Sequence, residues 1–327
     1  MNKEEIRIGV IGVGSIGKNH ARICSEIQNA QFAAIFDINP AVAREISNRF
    51  RVKAVNDLNE FITKVDAATV AAPTPAHFEL GRALLDAGKH VLIEKPITES
   101  PEQAEELVRL ADSRGVVLQV GHVERFNPVL GPLEQLLTRP RFIEAHRLSP
   151  YPFRSVEIGV VLDLMIHDLE VILHLVRSPV TSVDAVGVPI LSRGEDIANA
   201  RIRFENGCVA NITASRISVE KMRKIRVFQD YPATYLSLDY QNQAGEFHQL
   251  IDGKIVREKV AIEKEEPLLL EIQSFVDCAR QGLQPVVSGS QASAALRLAI
   301  EITEQIAGFT ESERAALEAA RAGGPAA

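Results

Sequence analysis

The stretch IGVIGVGSIGKNH at residues 8–20 is the feature that most restricts the fold of this chain. A strand-like apolar run is broken by Gly12, Gly14 and Gly17, and helix-compatible residues follow at once. In the spacing G-x-G-x-x-G, the first glycine permits a tight turn, the second lets a pyrophosphate approach the backbone, and the third lets helix and strand pack closely. The N-terminus of the helix then faces the phosphates. A purely structural turn between a strand and a helix is the alternative explanation.

Asp37 supports the nucleotide-binding interpretation, because it ends the second apolar run about 20 residues after Gly17. An acidic side chain at this point accepts hydrogen bonds from the hydroxyls of the adenosine ribose. Ile38 and Asn39 follow without an arginine that could hold a 2′-phosphate, so NAD is expected in preference to NADP. A plain turn residue at a strand end is the alternative for Asp37. The cofactor contacts predicted from this part of the chain are Gly12, Gly14, Ser15, Ile16, Gly17 and Asp37.

The first 122 residues alternate short apolar runs with stretches of helical i, i+3, i+4 spacing. Near-continuous apolar runs are typical of parallel strands that are buried on both faces. The alternation therefore predicts βαβ units and a Rossmann-type, doubly wound parallel sheet. The predicted strands span residues 6–12, 31–37, 67–73, 90–96 and 116–122.

The pattern changes in the second part of the chain, where longer, β-branched and partly alternating runs extend over about residues 140–260. Glu-Asn-Gly at 205–207 and Asp-Gly at 252–253 separate such runs and indicate hairpin turns. One helix is predicted at about 158–177, and further helices follow the strands. This part of the chain therefore predicts an α/β arrangement with a large, mostly antiparallel open sheet.

Length and composition set the number of domains and the class of ligand. Because 327 residues exceed the usual size of one domain, we expect an α/β protein with an NAD-binding Rossmann domain at 1–122 and a second domain at 123–327. A net charge of −7 leaves no general basic surface for nucleic acid. Cys24, Cys208 and Cys278 lie far apart without metal-ligand spacing, which indicates a reducing compartment and no metal site. No apolar run approaches the roughly 18 residues of a membrane span, so a cytoplasmic protein is expected.

Two groups of residues lie at the carboxyl ends of the third and fourth predicted strands, on the edge of the sheet where ligands of doubly wound folds bind. In the first group, His77 either contacts the cofactor or caps the helix that it begins. In the second group, Pro96 forms a rigid X-Pro turn, for which a cis bond is one option, and this turn presents Lys95. A surface lysine beside Glu94 explains the pattern equally well. The cofactor contacts predicted at this edge are Ala72, Pro73, Thr74, His77, Glu94 and Lys95.

Asp163 and His167 lie four residues apart in the apolar segment VVLDLMIHDLEVILHL, so on a helix they share one face. Buried ionisable groups need partners. The two residues are therefore either a buried pair that satisfy each other or part of a cleft. The spacing alone leaves both interpretations open.

The fingerprint at residues 8–20, the segments 71–98 and 120–128, and the helix motif at 159–170 together resemble the glucose-fructose oxidoreductase, inositol dehydrogenase and rhizopine catabolism (Gfo/Idh/MocA) family. The resemblance covers essentially the whole chain. It implies an N-terminal Rossmann domain and a C-terminal α/β domain that binds substrate and whose open sheet mediates oligomerisation, so a homodimer or homotetramer is expected. It also implies oxidation of a sugar or cyclitol hydroxyl to a ketone with NAD(P).

In this resemblance, Lys95 matches the catalytic lysine of the family, and Asp163 and His167 match its D-x-x-x-H motif beside the substrate hydroxyl. Oxidation of a secondary alcohol requires a hydride acceptor and a base for the hydroxyl proton, and an imidazole suits the base. We therefore expect His167 to act as base or proton relay and Asp163 to orient the substrate or the lysine. Lys95 is expected to polarise the hydroxyl or to accept its proton. The division of labour between Lys95 and His167 stays open.

Within the family, the motifs look most like those of nucleotide-sugar 3-dehydrogenases, which implies oxidation of the 3-hydroxyl of UDP-N-acetylglucosamine in a pathway to the diamino sugars of lipid A. Ile158 and Met165 depart from positions that are commonly glycine and should narrow the pocket. An acidic protein needs local arginines to bind a diphosphate. The candidates are Arg125 and Arg154, which we favour, and also Arg147 and Arg216. The predicted substrate contacts are His122, Arg125, Arg154, Asp163 and His167.

Two other functions compete with this one. A dehydrogenase of myo-inositol or of a free monosaccharide would be indifferent to the UDP moiety. A non-catalytic NAD-binding regulator would have kept the fold and lost turnover. Such a regulator has no reason to keep the set Lys95, Asp163 and His167.

Overall fold

The computed structural model of the protein describes residues 5–152 and 158–322. Among the helices of these two ranges, none has both the length and the apolar character needed to cross a membrane. Within the same ranges, no cluster of His, Cys, Asp and Glu side chains could hold a metal ion.

The chain forms two compact units, and each is built from separate parts of the sequence. One contains the chain up to Pro128 together with Lys264–Leu296, and the other contains Val129–Glu263 together with the chain from Arg297 onward. The division at residue 122 that the sequence predicts does not include the return of Lys264–Leu296 to the first unit. Helical spacing shows that a segment is amphipathic, but it does not tell which domain the segment packs against.

The first unit contains a parallel sheet of six strands. The strands are β1 (Ile6–Ile11), β2 (Ala30–Phe36), β3 (Lys53–Val55), β4 (Ala67–Val70), β5 (His90–Glu94) and β6 (Leu118–Gly121). Their order is β3-β2-β1-β4-β5-β6, which is the order of a Rossmann fold and confirms the doubly wound sheet predicted from the sequence. The order reverses between β1 and β4, and ligands of such sheets bind at that point.

Helices connect successive strands of this sheet. They are α1 (Gly17–Cys24), α2 (Pro40–Phe50), α3 (Leu58–Lys64), α4 (His77–Asp86) and α5 (Pro101–Arg114). Local sequence features set several of their ends. The side chain of Asn39 accepts hydrogen bonds from the first N–H groups of α2, and that of Ser100 accepts one at the start of α5. Gly115 ends α5 in the left-handed conformation, with a φ of 64°.

The second unit contains a mixed sheet of eight strands. The strands are β7 (Pro140–Leu148), β8 (Val180–Val188), β9 (Ile197–Phe204), β10 (Val209–Ser215), β11 (Met222–Asp230), β12 (Ala233–Asp239), β13 (Ala244–Ile251) and β14 (Lys254–Val260). Their order is β14-β13-β12-β11-β7-β10-β9-β8, and every adjacent pair is antiparallel except β7 with β10. Both predicted hairpin turns are confirmed. Asp252 and Gly253, between β13 and β14, have φ angles of 50° and 73°, which suit a two-residue turn.

Four further helices lie in the part of the chain that the structure describes. They are α6 (Leu130–Leu136), α7 (Ile166–Val176), α8 (Pro267–Gln281) and α9 (Gly289–Ala322). A π-helical turn, Val161–Met165, leads directly into α7, where the sequence predicts an uninterrupted helix. In the first unit, α8 contributes Ile272, Phe275 and Val276 to a buried cluster that includes Ile8 of β1.

Candidate active site

The glycine loop between β1 and α1 contains three glycines with different surroundings. A side chain at Gly12 would place its Cβ 2.8 Å from the backbone nitrogen of Ala72, and the φ of Gly12 is +78°. A Cβ at Gly17 would lie 1.7 Å from the carbonyl oxygen of Gly12. A Cβ at Gly14 would meet nothing within 4 Å. Packing of the protein itself therefore requires Gly12 and Gly17, whereas Gly14 borders open space, as expected of the glycine that a pyrophosphate approaches.

A cavity of about 600 Å³ opens beside this loop. Its walls come from the glycine loop, the end of β2 and the segment from β4 into α4. It lies at the carboxyl ends of β1 and β4, where dinucleotides bind in Rossmann folds, and its volume suits a small-molecule site. The predicted cofactor residues that line it are Gly12, Gly14, Ser15, Ile16, Asp37, Ala72 and Pro73.

Asp37 connects the end of β2 to the glycine loop. Its Oδ2 accepts a 2.8 Å hydrogen bond from the backbone N–H of Val13, and its Oδ1 accepts one of 2.8 Å from the backbone N–H of Asn39. A carboxylate has acceptor capacity beyond two bonds, so Asp37 can still accept from ribose hydroxyls. Ile38 beside it is 90% exposed, and the described residues place no arginine in the wall of the cavity. These residues fit the adenosine end of a dinucleotide.

His77 begins α4 and is buried between two loops at the carboxyl edge of the sheet. Its Nδ1 lies 2.8 Å from the carbonyl oxygen of Pro96, and its Nε2 lies 2.8 Å from the carbonyl oxygen of Ala72. The Lys95–Pro96 peptide bond is cis. His77 thus links the loop after β4 to the loop after β5, and both of its ring nitrogens face backbone carbonyls. Thr74 lies in the short 3₁₀ turn that precedes α4.

Glu94 ends β5 and is buried against α1. Its Oε1 lies 2.9 Å from Nε2 of the buried His20, and its Oε2 accepts a 3.3 Å hydrogen bond from the backbone N–H of Lys95. A Cβ at Gly121 would come within 2.9 Å of the Glu94 carboxyl group, so the glycine provides the space for it. Nothing in the sequence pattern indicates the pairing of His20 with Glu94, because the two residues are 74 positions apart.

The imidazole of His122 is buried and lies near two positively charged side chains. Burial lowers its pKa, and the charges of Lys95 and Arg125 lower the pKa further, to about 3. His122 is therefore uncharged near neutral pH, and it can recognise a ligand through hydrogen bonds but not as a cation. Because Lys95 and Arg125 act on the same imidazole, three of the residues predicted from the sequence lie in one neighbourhood of the first unit.

Glu271, on α8, is a buried acid that the sequence pattern does not single out. Its side chain is fully buried, and neither of its carboxyl oxygens contacts a donor among the residues that the structure describes. Burial raises the pKa of Glu271 well above its usual value, and the nearby charge of Glu94 raises it further. Glu271 therefore favours the neutral acid. The only indication in the sequence is a glutamate within the apolar spacing of a helix.

In the second unit, Asp163 and His167 occupy the segment where the π-helical turn passes into α7. Asp163 lies within the turn, and its N–H donates to the carbonyl oxygen of Gly159 at 3.1 Å. His167 lies in the first turn of α7. Both side chains are half-buried, whereas Met165 and Asp168 are buried. The two predicted residues thus share the accessible side of this segment, and π-helical turns of this kind are frequent at functional sites.

The arginines considered for a diphosphate have different surroundings. Arg147 is buried and donates hydrogen bonds of 2.7 and 3.0 Å to a carboxylate of α7. Arg216 is buried and donates to Asp196 at 3.0 Å. Because carboxylates inside the second unit engage both guanidinium groups, these two are not available to a ligand. Arg125 is half-buried in the short turn after β6, and Arg154 lies outside the described residues.

Both parts of the chain match one protein family. Residues 6–122 match the oxidoreductase family GFO_IDH_MocA, described by its NAD-binding Rossmann fold, and residues 135–230 match the GFO/IDH/MocA C-terminal domain. The chain is 34% identical to the UDP-N-acetylglucosamine 3-dehydrogenase of Acidithiobacillus ferrooxidans, over 94% of this chain and 99% of that enzyme. The solved structure of that enzyme matches with a TM-score of 0.89, over 93% of this chain and 99% of the other.

Other relatives are similar over almost the same length. The chain is 28% identical to the myo-inositol 2-dehydrogenase of Thermotoga maritima, over 90% of this chain and 94% of that enzyme. A levoglucosan dehydrogenase solved in complex with NADH is 17% identical and matches with a TM-score of 0.84, over 93% of this chain and 97% of the other. At that level of identity, the likeness shows the fold alone.

Proposed function

The chain belongs to the GFO/IDH/MocA family of NAD(P)-dependent oxidoreductases, which act on sugar hydroxyls, and on this premise we propose that it oxidises the 3-hydroxyl of UDP-N-acetylglucosamine to a ketone. One observation carries the choice of substrate. The similarity to a UDP-N-acetylglucosamine 3-dehydrogenase extends through both units and nearly the full length of both chains. The product is a 3-keto nucleotide sugar, whose amination leads to the diamino sugars of lipid A.

We propose NAD as the cofactor in preference to NADP. The negative charge of Asp37 stands where a ribose binds in Rossmann folds, and it would repel a 2′-phosphate. Ile38 offers no positive charge in compensation, and within the described residues no arginine lines the cavity. The two hydrogen bonds from Val13 and Asn39 hold the Asp37 carboxylate in a fixed orientation.

The proposed mechanism divides the chemistry between three side chains. When bound, NAD accepts the hydride from the carbinol carbon. The hydroxyl proton must leave to a protein base, and we assign His167 the role of base or proton relay. Lys95 polarises the hydroxyl and stabilises the developing alkoxide, or accepts the proton itself. Asp163 orients the substrate or the lysine.

Recognition of the UDP-sugar is assigned to a second set of residues. The neutral His122 can exchange a hydrogen bond with a sugar hydroxyl, since its low pKa leaves it one donor and one acceptor nitrogen. Arg125 lies three residues after His122 and is half-buried, and Arg154 lies in the segment before the helix of Asp163 and His167. A bidentate arginine is the usual partner of a phosphate, so both are proposed to meet the diphosphate.

A myo-inositol dehydrogenase is the second candidate. The specific observation in its favour is the similarity to a myo-inositol 2-dehydrogenase over most of the chain. The two candidates differ in one requirement, because an inositol dehydrogenase has no use for a diphosphate contact. Substitution of Arg125 therefore separates them.

We propose that the protein is a homo-oligomer that covers part of the second sheet. Aromatic side chains form a row across β7, β11, β12 and β13 on one face, at the paired positions Phe142, Phe228, Tyr235 and His248. All four side chains are only half-buried. Apolar surface of this kind on a sheet face favours a partner subunit. Light scattering at micromolar concentration should give a dimer or tetramer, and a monomer would contradict the proposal.

The test of the function offers the purified protein NAD or NADP together with UDP-N-acetylglucosamine, N-acetylglucosamine or myo-inositol. Reduced cofactor is followed by absorbance, after bound nucleotide has been removed by unfolding and refolding or by exchange. We expect turnover of UDP-N-acetylglucosamine with NAD, and a KM for it that rises in Arg125→Ala but not in Arg257→Ala, an exposed arginine of β14. Turnover of a free polyol alone would contradict the nucleotide-sugar assignment. Turnover of none would favour the non-catalytic regulator.

A further inference from the structure

The segment that carries Asp163 and His167 begins without a capping side chain of its own. The first N–H groups of a helical segment need acceptors from elsewhere. Glu195, which precedes β9, supplies two of them. Its backbone carbonyl accepts a 3.0 Å hydrogen bond from the N–H of Val160, and its Oε1 accepts one of 3.1 Å from the N–H of Val161. A residue 34 positions away thus anchors the start of the π-helical turn.

Gly159 allows this anchor to form. A Cβ at Gly159 would lie 1.9 Å from Oε1 of Glu195, so the carboxylate packs directly against the glycine backbone. On the other side of the contact, a Cβ at Gly194 would lie 3.0 Å from the backbone nitrogen of Gly159. No side chain larger than hydrogen fits at residue 159 unless Glu195 moves away.

Arg216 holds both sides of this contact together. Its guanidinium is buried, and Nη2 donates to the carbonyl oxygen of Ile158 at 2.6 Å and to that of Glu195 at 3.2 Å. Its Nε donates to Oδ1 of Asp196 at 3.0 Å. The guanidinium group of Arg216 therefore holds both Ile158, which precedes Gly159, and Glu195, which caps the turn.

The counter-charge of Arg216 is itself fixed. Oδ2 of Asp196 accepts hydrogen bonds from the backbone N–H groups of Ile190, Leu191 and Ser192. Burial alone would raise the pKa of Asp196, but the hydrogen bonds from Ser192, Leu191 and Ile190 hold the pKa well below its usual range. Asp196 thus stays ionised across the working pH range, and the position of Arg216 does not depend on pH.

We propose that Glu195 is a positioning residue for this reaction, whose carboxylate fixes the π-helical turn that places Asp163 and the first turn of α7 that places His167. The inference rests on the proposed function, because that function gives Asp163 and His167 their roles. Glu195 itself is assigned no contact with the substrate. A carboxylate at the N-terminus of a helical segment also interacts favourably with the peptide dipoles. A side chain that acts in catalysis is held in productive geometry by residues behind it, and a shift of about 1 Å can cost a factor of about 100 in rate.

The experiment compares two substitutions of Glu195 with an exposed control. Glu195→Ala removes the acceptor for the N–H of Val161. Glu195→Gln keeps an amide oxygen of the same reach. Glu205→Ala, at the turn between β9 and β10, serves as control because this residue is an exposed glutamate of the same unit. For each variant, kcat and KM for the sugar, Kd for NADH and amide hydrogen exchange of residues 158–167 are measured.

We expect Glu195→Ala to lower kcat by roughly 10-fold to 100-fold, with the Kd for NADH unchanged because the glycine loop lies in the other unit. Hydrogen exchange of the Val160 and Val161 amides should become faster. The N–H of Val161 loses its acceptor, and the N–H of Val160 keeps the backbone carbonyl of residue 195 but loses the side chain that holds it in place. Glu195→Gln should recover most of kcat, and Glu205→Ala should match the wild type. A merely structural role would lower the melting temperature without changing kcat in the folded fraction.

A double substitution isolates the contact with Gly159. Gly159→Ala alone should displace the Glu195 carboxylate and lower kcat as Glu195→Ala does. The variant that combines Gly159→Ala with Glu195→Ala should have a kcat no lower than that of either single variant. The steric clash is then absent, and the anchor is already lost in each single variant. Faster exchange with an unchanged kcat would overturn the positioning role, and unchanged exchange in Glu195→Ala would overturn the anchor itself. Absence of turnover in the wild type would contradict the proposed function, while the exchange measurement would still decide whether Glu195 anchors the turn.

Discussion

The carboxylate of Asp37 accepts a 2.8 Å hydrogen bond from the backbone N–H of Val13, so the end of β2 is tied to the glycine loop that follows β1. Asp37 therefore contributes both a hydrogen-bond acceptor and a negative charge, and substitutions can remove one without the other. Its oxygen atoms hold the loop, and its negative charge acts on whatever occupies the cavity beside it.

Asp37→Asn should change cofactor preference without disturbing the loop. The asparagine carbonyl can still accept from Val13, but the charge that repels a 2′-phosphate is gone. We expect the ratio of kcat/KM for NADP to that for NAD to rise by about tenfold, the equivalent of about 1.4 kcal/mol. Asp37→Ala, which also removes the hydrogen bond, should weaken the binding of both cofactors. An unchanged ratio in Asp37→Asn would show that this residue does not select the cofactor.

Two glycines of the same loop should respond differently to alanine. Gly17→Ala places a Cβ 1.7 Å from the carbonyl oxygen of Gly12, and backbone atoms on both sides must shift. We expect this variant to lose about 1–3 kcal/mol of stability, seen as a lower melting temperature. Gly14→Ala meets no protein atom within 4 Å, so it should melt like the wild type and yet bind NADH more weakly in a fluorescence titration. Tight NADH binding by Gly14→Ala would remove the phosphate role of that glycine.

Glu271 should make stability depend on pH. Its pKa is raised in the folded protein, so its contribution is complete below the ordinary glutamate pKa of about 4.3 and is lost as the pH rises toward the folded value. The loss amounts to about 1.4 kcal/mol per pH unit in that window. Glu271→Gln stays neutral, and its advantage in melting temperature over the wild type should grow from pH 5 to pH 8. Glu301→Gln, an exposed control on α9, should follow the wild type. A constant difference across pH would mean that Glu271 is ionised in both states.

Lys95→Ala should abolish turnover while leaving the protein folded. The backbone N–H of Lys95, which donates to Glu94, is retained in the variant, so the local structure should persist. A positioned acid–base or polarising group contributes about 100-fold to 10,000-fold, and we expect a loss of that size in kcat with little change in the Kd for NADH. Lys254→Ala, at an exposed position of β14, is the matched control. If Lys95→Ala kept more than a tenth of the wild-type kcat, the lysine would have no catalytic role.

Much of the first unit is predictable from the sequence because its features are local. The glycine spacing, the apolar runs and the strand-end position of Asp37 all lie within short windows, and they predict the Rossmann sheet correctly. The strand β3, with three residues, is too short to give a periodic pattern. The loops after β4 and β5 extend the apolar runs beyond the strands, so the predicted strands are longer than the observed ones.

What the sequence does not predict depends on contacts between distant residues. The pairing of Glu94 with His20, the burial of Glu271 and the anchoring of Val161 by Glu195 each join separate parts of the chain. Dependence on distant contacts also explains why the sequence does not show which arginines bind internal carboxylates. A guanidinium in a strand pattern looks equally suited to a phosphate or to an internal carboxylate, and only the fold shows that Arg216 binds Asp196.

The hydrogen atom on C3 of the sugar reports which hydroxyl is oxidised. UDP-N-acetylglucosamine that carries deuterium at C3 is incubated with the protein and NAD, and the reduced cofactor is analysed by mass spectrometry. Oxidation of the 3-hydroxyl transfers the C3 hydride, so the NADH should carry the deuterium, and any rate limited by that step should show a primary isotope effect. Unlabelled NADH at full turnover would show that another position is oxidised, and the absence of NADH would contradict oxidation of this sugar by the protein.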